Sequence, residues 1–292
     1  MKILLFAMDG LFSKVFLENL VLETDEITGM ILPATSTITD KSTTTRTLDV
    51  LHPESIRALA DSLCIPVFTI MKGDEKHYLT ILEQTAPDMI IVACFPYKIP
   101  ASVFNMPAKG AFNIHPSLLP SYRGPTPLFW QFYYGERNTG ITIHVIDARF
   151  DCGDIVIQKT VQFNDGISTA EASERLALAS ASAFGILCDK IRRNKLIRLK
   201  QDNASASYFS WPGKSEFTLM STWTARRAYN FICATRYWHQ AYTIICRENQ
   251  AIRIDDVTGF ELEKRIDKDY VILDDKIIIQ FSDGCLIGIK NR

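Results

Sequence analysis

The first half of this chain alternates short apolar runs with segments of helical spacing, and no other feature constrains the fold as much. Residues 2–8 read as a buried strand, 11–22 as a helix with Val15, Phe16 and Leu20 on its apolar face, and 26–32 as a second strand. Residues 53–63 read as a helix, 66–70 as a strand, 76–84 as a helix and 88–95 as a strongly apolar strand. Between them, 33–46 is rich in Ser and Thr without strong periodicity, which reads as a mobile loop. Strands that alternate with helices mean β-α-β units and a parallel sheet with helices on both faces.

Further along, 110–115 reads as a strand and 126–134 as a helix. Residues 140–147 and 155–163 are β-branched strands suited to antiparallel pairing, and 169–193 is a long amphipathic helix opened by Ser168 or Thr169. A strand-like 196–199 precedes a small, polar linker at 201–207. Beyond it, 223–234 has helical spacing, and five short strands (241–246, 251–256, 271–273, 276–281, 285–289) suggest a small barrel or sandwich. The fold class is therefore α/β. A Rossmann-like, mostly parallel sheet with helices on both faces spans 1–200, and a small β-rich, OB-like barrel domain spans 208–292. A length of 292 residues accommodates both.

Charge limits the function. With 32 Lys+Arg against 33 Asp+Glu, the net charge is −1, which excludes a nucleic-acid binder that works by overall charge but leaves room for a local patch. The seven cysteines are odd in number, lack C-x-x-C spacing and mostly sit in apolar runs. They read as reduced, buried thiols, with neither a disulfide framework nor a zinc site. The apolar start meets Asp9 too soon for a signal segment, and no run approaches the roughly 18 apolar residues of a membrane span. A cytoplasmic protein with no membrane or DNA partner is expected.

The segment that carries chemistry is Phe112-Asn113-Ile114-His115-Pro116-Ser117-Leu118-Leu119-Pro120-Ser121-Tyr122-Arg123-Gly124. Asn113 and His115 lie two apart on a strand and so share a face. They sit at its C-terminal end, where open α/β sheets bind ligands. Read alone, they suit a hydrogen-bonded cap on the sheet edge equally well. Asp151 stands in an Asp-Cys-Gly turn between two strands. A carboxylate that reaches a histidine favours the imidazolium and fixes its orientation. Asn, His and Asp together can stabilise an oxyanion and move protons in acyl transfer. Ser117 lacks a G-x-S-x-G elbow and Gly10 lacks a G-x-G-x-x-G context. Cys152 is a lone thiol without a base in view, and His144 reads first as a structural histidine.

The run from Asn113 to Gly124, with Asp151 in its D-x-G setting, resembles the tetrahydrofolate-dependent formyltransferase family. The resemblance covers about residues 1–200 and continues more weakly past the linker. It implies 10-formyltetrahydrofolate as formyl donor. Asn113, His115 and Asp151 match the catalytic trio: Asn113 and a protonated His115 stabilise the oxyanion, and Asp151 supports His115 and the proton relay. The family's pterin-pocket loop falls on Phe95, Pro96, Tyr97, Lys98 and Ile99, and the loop with Val145 and Asp147 closes its other side. Phe95 and Ile99 suit plain core packing equally well. Ser117, Tyr122 and Arg123 are assigned to the acceptor.

The acceptor amine stays open between methionyl-tRNA and an amino sugar nucleotide. Methionyl-tRNA formyltransferases carry a basic Gly/Arg loop after the second strand, whereas 33–46 has only Lys41 and Arg46, and 236–242 lacks their Pro-Gly-Ala pattern. The basic run Lys190, Arg192, Arg193, Lys195, Arg198 and Lys200, extended by Arg226, Arg227 and Arg236, reads either as a solvated helix end or as a tRNA-lining surface. Tyr122, Phe129, Trp130 and Tyr133 suit a sugar-nucleotide pocket or helix-core packing. A homodimer is compatible with the family. Two other classes remain as alternatives: a hydrolase of the formyl donor and a binding module that has lost catalysis. The intact trio counts against the second.

Overall fold

The computed structural model describes residues 1–23, 26–34, 55–238, 241–247 and 250–289. The alternation read from the sequence becomes β1 (Lys2–Ala7), α1 (Leu11–Glu23), β2 (Glu26–Pro33), α2 (Ile56–Ser62), β3 (Val67–Ile70), α3 (Glu75–Thr85), β4 (Met89–Ala93), the short α4 (Ala101–Phe104) and β5 (Ala111–His115). There follow α5 (Pro127–Tyr134), β6 (Asn138–Val145), β7 (Ile155–Gln162) and α6 (Thr169–Arg192). One seven-stranded sheet runs in the order β3-β2-β1-β4-β5-β6-β7. The ladders from β3 to β5 are parallel, and β6 runs antiparallel to β5. The mostly parallel sheet is as the sequence implied. The rest of the 33–46 loop beyond Ala34, with Lys41 and Arg46, lies outside the described residues, as do His239 and Gln240.

Burial explains why these runs become strands of a covered sheet. Every residue of β1 from Ile3 to Ala7 is 0% exposed, and successive side chains point to opposite faces, so both faces are covered. On one face Leu4 and Phe6 pack with Ile90 and Val92 of β4 and with Tyr78, Ile81 and Leu82 of α3. Each such side chain contributes about 1.5–3 kcal/mol by leaving water. Capping sets the helix ends. Asp74 accepts from the His77 N–H at 3.2 Å to start α3. Ser168 and Glu171 form a reciprocal capping box, the Ser168 N–H donating to the Glu171 carboxylate at 3.0 Å and the Glu171 N–H to Ser168 Oγ at 3.2 Å. The strand-like 196–199 does not form a strand; Leu199 makes one isolated bridge with Ile155.

The chain divides into two compact units. The first comprises Met1–Pro125, Gly140–Val161 and Ser173–Tyr208; the second comprises Thr126–Thr139, Gln162–Ala172 and Phe209–Arg292. The C-terminal part of the second carries β8 (Thr218–Met220), α7 (Ala225–Thr235), β9 (Tyr242–Ile245), β10 (Ala251–Ile254), β11 (Asp256–Leu262), β12 (Tyr270–Leu273), β13 (Lys276–Gln280) and β14 (Gly284–Ile289). These strands fall into a three-stranded sheet, β10-β9-β8, and a four-stranded antiparallel sheet, β11-β14-β13-β12. The strand-rich character is as read, but β8 and β11 were missed. Much of β11 is not buried and its register shifts between Val257 and Gly259, which blurs any alternation. The aromatics of α5 serve as core in this unit: Phe129 and Trp130 are 4% and 9% exposed, and Phe129 packs on Phe217, Phe231 and Trp238. Among the described residues no helix is long and apolar enough to cross a membrane.

Candidate active site

β5 and β6 pair antiparallel with Asn113 opposite His144 and His115 opposite Thr142. Opposed residues share a face, and alternation along each strand puts all four side chains on the same side of the sheet. Thr142 ties down the chain that leaves β5. Its hydroxyl donates to Ser117 O at 2.7 Å and accepts from the Leu119 N–H and from Gln158 Nε2, each at 3.0 Å. Ser117 is fully buried and its own hydroxyl donates to Ser121 O at 2.7 Å. The structure therefore turns Ser117, assigned to the acceptor from sequence, into the loop it shapes.

The loop then returns to the strand end. Tyr122, at φ 62°, presents its carbonyl to His115 Nε2 at 2.8 Å. A carbonyl only accepts, so Nε2 carries a proton and Nδ1 faces the other way, 3.4 Å from Asp151 Oδ1. The Gly124 N–H donates to Asp151 Oδ2 at 2.9 Å. Asp151 itself has a left-handed backbone, φ 55°, and is 8% exposed. Gly153 completes this turn for a steric reason: a Cβ there would lie 1.8 Å from the Val145 carbonyl oxygen.

Asp151 Oδ1 is the meeting point. Asn113 Nδ2 approaches it at 3.4 Å, His115 Nδ1 at 3.4 Å and His144 Nε2 at 3.7 Å. These separations exceed ordinary hydrogen-bond lengths, whereas Oδ2 is firmly anchored. His144 was not among the residues assigned to the site from sequence. Its Nδ1 donates to its neighbour's carbonyl, Val145 O, at 2.9 Å, which leaves Nε2 to accept from the Asn113 amide at 3.1 Å.

Electrostatics divide the two acid–base groups. Burial alone would raise Asp151, but the two histidines beside it, His115 foremost, and the Gly124 N–H outweigh it and hold the carboxyl well below the usual carboxylate range. Burial dominates at His115 and pulls its pKa below the ordinary histidine value, against the opposing pull of Asp151 and the Tyr122 carbonyl. Burial thus favours the neutral form of His115, and Asp151 pulls the other way. Burial, which the sequence does not display, works against the imidazolium that the resemblance implied.

The remaining assigned residues lie as follows. Arg123 is 7% exposed and donates to Gln201 Oε1 and Asn203 Oδ1. Phe95 stacks edge-on against Phe6 and Tyr97, Tyr97 donates to Ala34 O at 3.3 Å, and Ile99 belongs to the apolar core. Pro96 and Lys98 are exposed. Asp147 accepts from the Arg149 N–H at 2.6 Å. A cavity of about 240 Å³ is lined by Val145 together with Phe104, Lys109, Ala111, Ile146 and Arg198, and not by 95–99. Of these, only Val145 was assigned from sequence. Gly110 and Ala111 stand at the start of β5 and Val145 and Ile146 at the end of β6, so the cavity lies where β5 begins and β6 ends.

Known proteins resemble this chain in sequence and in fold. The family model described as Formyl transferase matches residues 39–184, half of the chain. The methionyl-tRNA formyltransferase of Geotalea daltonii is 31% identical over 193 residues, which cover 66% of this chain and 62% of that protein. That of Geobacter sulfurreducens is 31% identical over 195 residues, 67% and 62% of the two chains. The chain therefore spans less than two thirds of these curated relatives' length. Among solved structures, the N-formyltransferase from Helicobacter canadensis in complex with folinic acid and dTDP-3-aminofucose aligns over 100% of both chains at 20% identity, TM-score 0.70. WlaRD, a sugar 3N-formyl transferase, aligns over 99% of this chain and 97% of its own at 20% identity, TM-score 0.68. At that identity the likeness is one of fold.

Proposed function

The chain belongs to the formyl transferase family, and from that premise we propose that it moves a formyl group from 10-formyltetrahydrofolate to the primary amine of an amino sugar nucleotide. The observation that carries the reaction is the convergence of Asn113, His115 and Asp151 on one carboxylate oxygen. The sugar-nucleotide acceptor is supported by the whole-length likeness of fold to sugar N-formyltransferases, set against a match to methionyl-tRNA formyltransferases over about two thirds of the chain.

The residues present fit such a donor. The cavity's lining is mainly polar, and Lys109 and Arg198 give it two cations for the donor's anionic tail. The cavity begins two residues along the strands from Asn113 and His144, about 7 Å at the rise of a strand. When bound, the donor supplies an activated formyl carbonyl. The chain supplies the rest. Asn113 Nδ2 gives up its long contact with Asp151 to donate to the oxygen that gains charge. The His115 Nδ1–Asp151 Oδ1 pair takes the proton that the attacking amine must lose: Oδ1 receives it and passes it to Nδ1, whose new N–H donates back to the carboxylate, which stabilises the imidazolium. Asp151, held ionised, keeps that proton on His115 until it passes to the leaving nitrogen.

A second reading, methionyl-tRNA as acceptor, is favoured by the curated relatives and by the exposure of Arg192, Arg193, Lys195, Arg198 and Lys200. The test is to supply 10-formyltetrahydrofolate with nucleotide-linked amino sugars, with methionyl-tRNA, or with no acceptor, following tetrahydrofolate release and product mass. A formamide on the sugar amine is expected. Transfer to methionyl-tRNA alone moves the assignment to the second reading. Formate release without acceptor indicates a hydrolase, and no donor binding by calorimetry indicates a module without catalysis.

A further inference from the structure

Arg123 is a buried cation, and among the described residues its side-chain hydrogen bonds go to amide oxygens rather than to a carboxylate. Its Nε and Nη2 donate to Gln201 Oε1 at 3.1 and 2.7 Å, and Nη2 also donates to Asn203 Oδ1 at 3.0 Å. Burying a guanidinium without an anion is costly, so the arrangement needs a reason. Gln201 supplies one. Both hydrogens of its Nε2 are donated to backbone carbonyls, Asp151 O at 2.9 Å and Gly153 O at 2.8 Å. Those carbonyls belong to the strained turn that carries the carboxylate.

Three consecutive residues therefore hold two members of the trio, His115 and Asp151. Tyr122 O orients His115, the Gly124 N–H anchors Asp151 Oδ2, and the Arg123 side chain reaches the Asp151 backbone through Gln201. Segment 201–207 is laced to the same loop at its far end, where Ser207 Oγ accepts from the Tyr122 N–H at 2.8 Å and Ser207 O from the Arg123 N–H at 2.9 Å. We propose that Arg123 and Gln201 are positioning residues for formyl transfer: the Gln201 amide, polarised by Arg123, fixes the Asp151–Gly153 turn so that Asp151 Oδ1 stays beside His115. The proposal rests on the site reading given above. It assigns Arg123 to the catalytic turn rather than to the acceptor, and gives the residue at 201 a role that the composition of the linker conceals. Only an amide meets the requirement, since it accepts from a guanidinium on one side while donating twice on the other. A charged donor also strengthens the bonds relayed through it.

Gln201→Glu separates positioning from mere packing. It improves the pairing with Arg123 but sets a carboxylate against two carbonyls. Gln201→Glu and Gln201→Ala are each expected to lower kcat about 10–100-fold, with KM for donor and acceptor within about twofold. Arg123→Lys, which keeps the charge, should lose less than Arg123→Met. An independent readout is the titration of labelled His115 by NMR, where Asp151, His144 and Arg123 are the charged or titratable groups facing the ring. In Gln201→Ala its midpoint should fall, because the carboxylate that raises it has drawn away. Parent-like kcat and parent-like His115 titration in folded Gln201→Glu and Gln201→Ala overturn the proposal. If the parent transfers no formyl group, the functional reading fails, and the histidine titration alone still decides the positioning role. Should Gln201→Ala not fold, Gln201→Glu and Arg123→Lys carry both measurements.

Discussion

Asn113 and His144 face each other across β5 and β6, and the Asn113 amide nitrogen lies 3.1 Å from His144 Nε2. His144 is 2% exposed and its other ring nitrogen is tied to Val145 O, so it presents a fixed acceptor. That acceptor sets which end of the Asn113 amide faces the site: the nitrogen, which can donate to a developing oxyanion. A histidine that satisfies the core thus also orients the side chain proposed as the oxyanion donor.

The first prediction follows from that pair. Asn113→Ala should lower kcat about 100–1,000-fold with the fold retained, the usual cost of losing one oxyanion donor. His144→Leu should lower it about tenfold, because the amide loses its guide and not its donor. The double variant should be no slower than Asn113→Ala, since His144 acts through Asn113. Steady-state kinetics on the three proteins check this; independent, multiplicative losses would rule out the coupling.

The pH dependence of stability is the second. Burial pulls the folded pKa of His115 below its unfolded value, so between those values the unfolded chain binds a proton that the folded chain refuses. Stability is therefore full above about pH 6.5 and declines as pH falls below it. Asp151 is depressed as well, so its contribution is present above about pH 3.9 and is lost as pH falls from there. Thermal midpoints should drop on acidification in both windows. His115→Gln should flatten the upper window and Asp151→Asn the lower. A midpoint that rises on acidification from pH 7 to 5 contradicts the sign.

Much of this was legible in the sequence, and the reasons differ by residue. The β-α-β alternation survives because each run obeys a local period, and Asn113 and His115 stand out because polar residues two apart at a buried strand's end are locally anomalous. Gln201 shows no such anomaly. It lies in a polar linker, and its importance comes from hydrogen bonds to residues 48 to 78 positions away. The partnership of His144 with Asn113 likewise depends on register between strands, which no single-strand pattern encodes. Lys109 and Arg198 meet at the cavity for the same kind of reason. The inward turn of Ser117 depends on Thr142 and Ser121, again beyond local spacing.

The Asp151–Gly153 turn gives the third prediction. At Gly153 the obstacle to a side chain is the Val145 carbonyl, a backbone atom that cannot rotate away. Gly153→Ala should cost at least about 3 kcal/mol and displace Asp151. Cys152, between them, is only half-buried, and the proposed proton path does not pass through it. Cys152→Ala should therefore stay within about 1 kcal/mol of the parent and retain its turnover. Urea unfolding and kinetics test the pair; loss of turnover in Cys152→Ala would instead make the thiol a participant.

The last prediction separates the two acceptors by electrostatics. Arg193, Lys195 and Lys200 are exposed, whereas Arg198 is excluded from the test because it lines the cavity. A tRNA acceptor brings a dense array of phosphates, and every lysine or arginine that neutralises one releases counterions. Binding then weakens steeply with salt, with a log–log slope of about 0.7–0.9 per phosphate contacted. A sugar nucleotide carries only a diphosphate, so it neutralises far fewer cations than a tRNA does. The triple variant Arg193→Ala, Lys195→Ala, Lys200→Ala should therefore keep kcat/KM for an amino sugar nucleotide within about twofold of the parent at every salt concentration. If methionyl-tRNA is the acceptor, the same variant loses affinity at low salt and its salt slope becomes shallower, by roughly one phosphate contact for each residue removed. The measurement is kcat/KM against salt for both acceptors. A steep parental slope with methionyl-tRNA that these substitutions flatten would move the acceptor from sugar to tRNA.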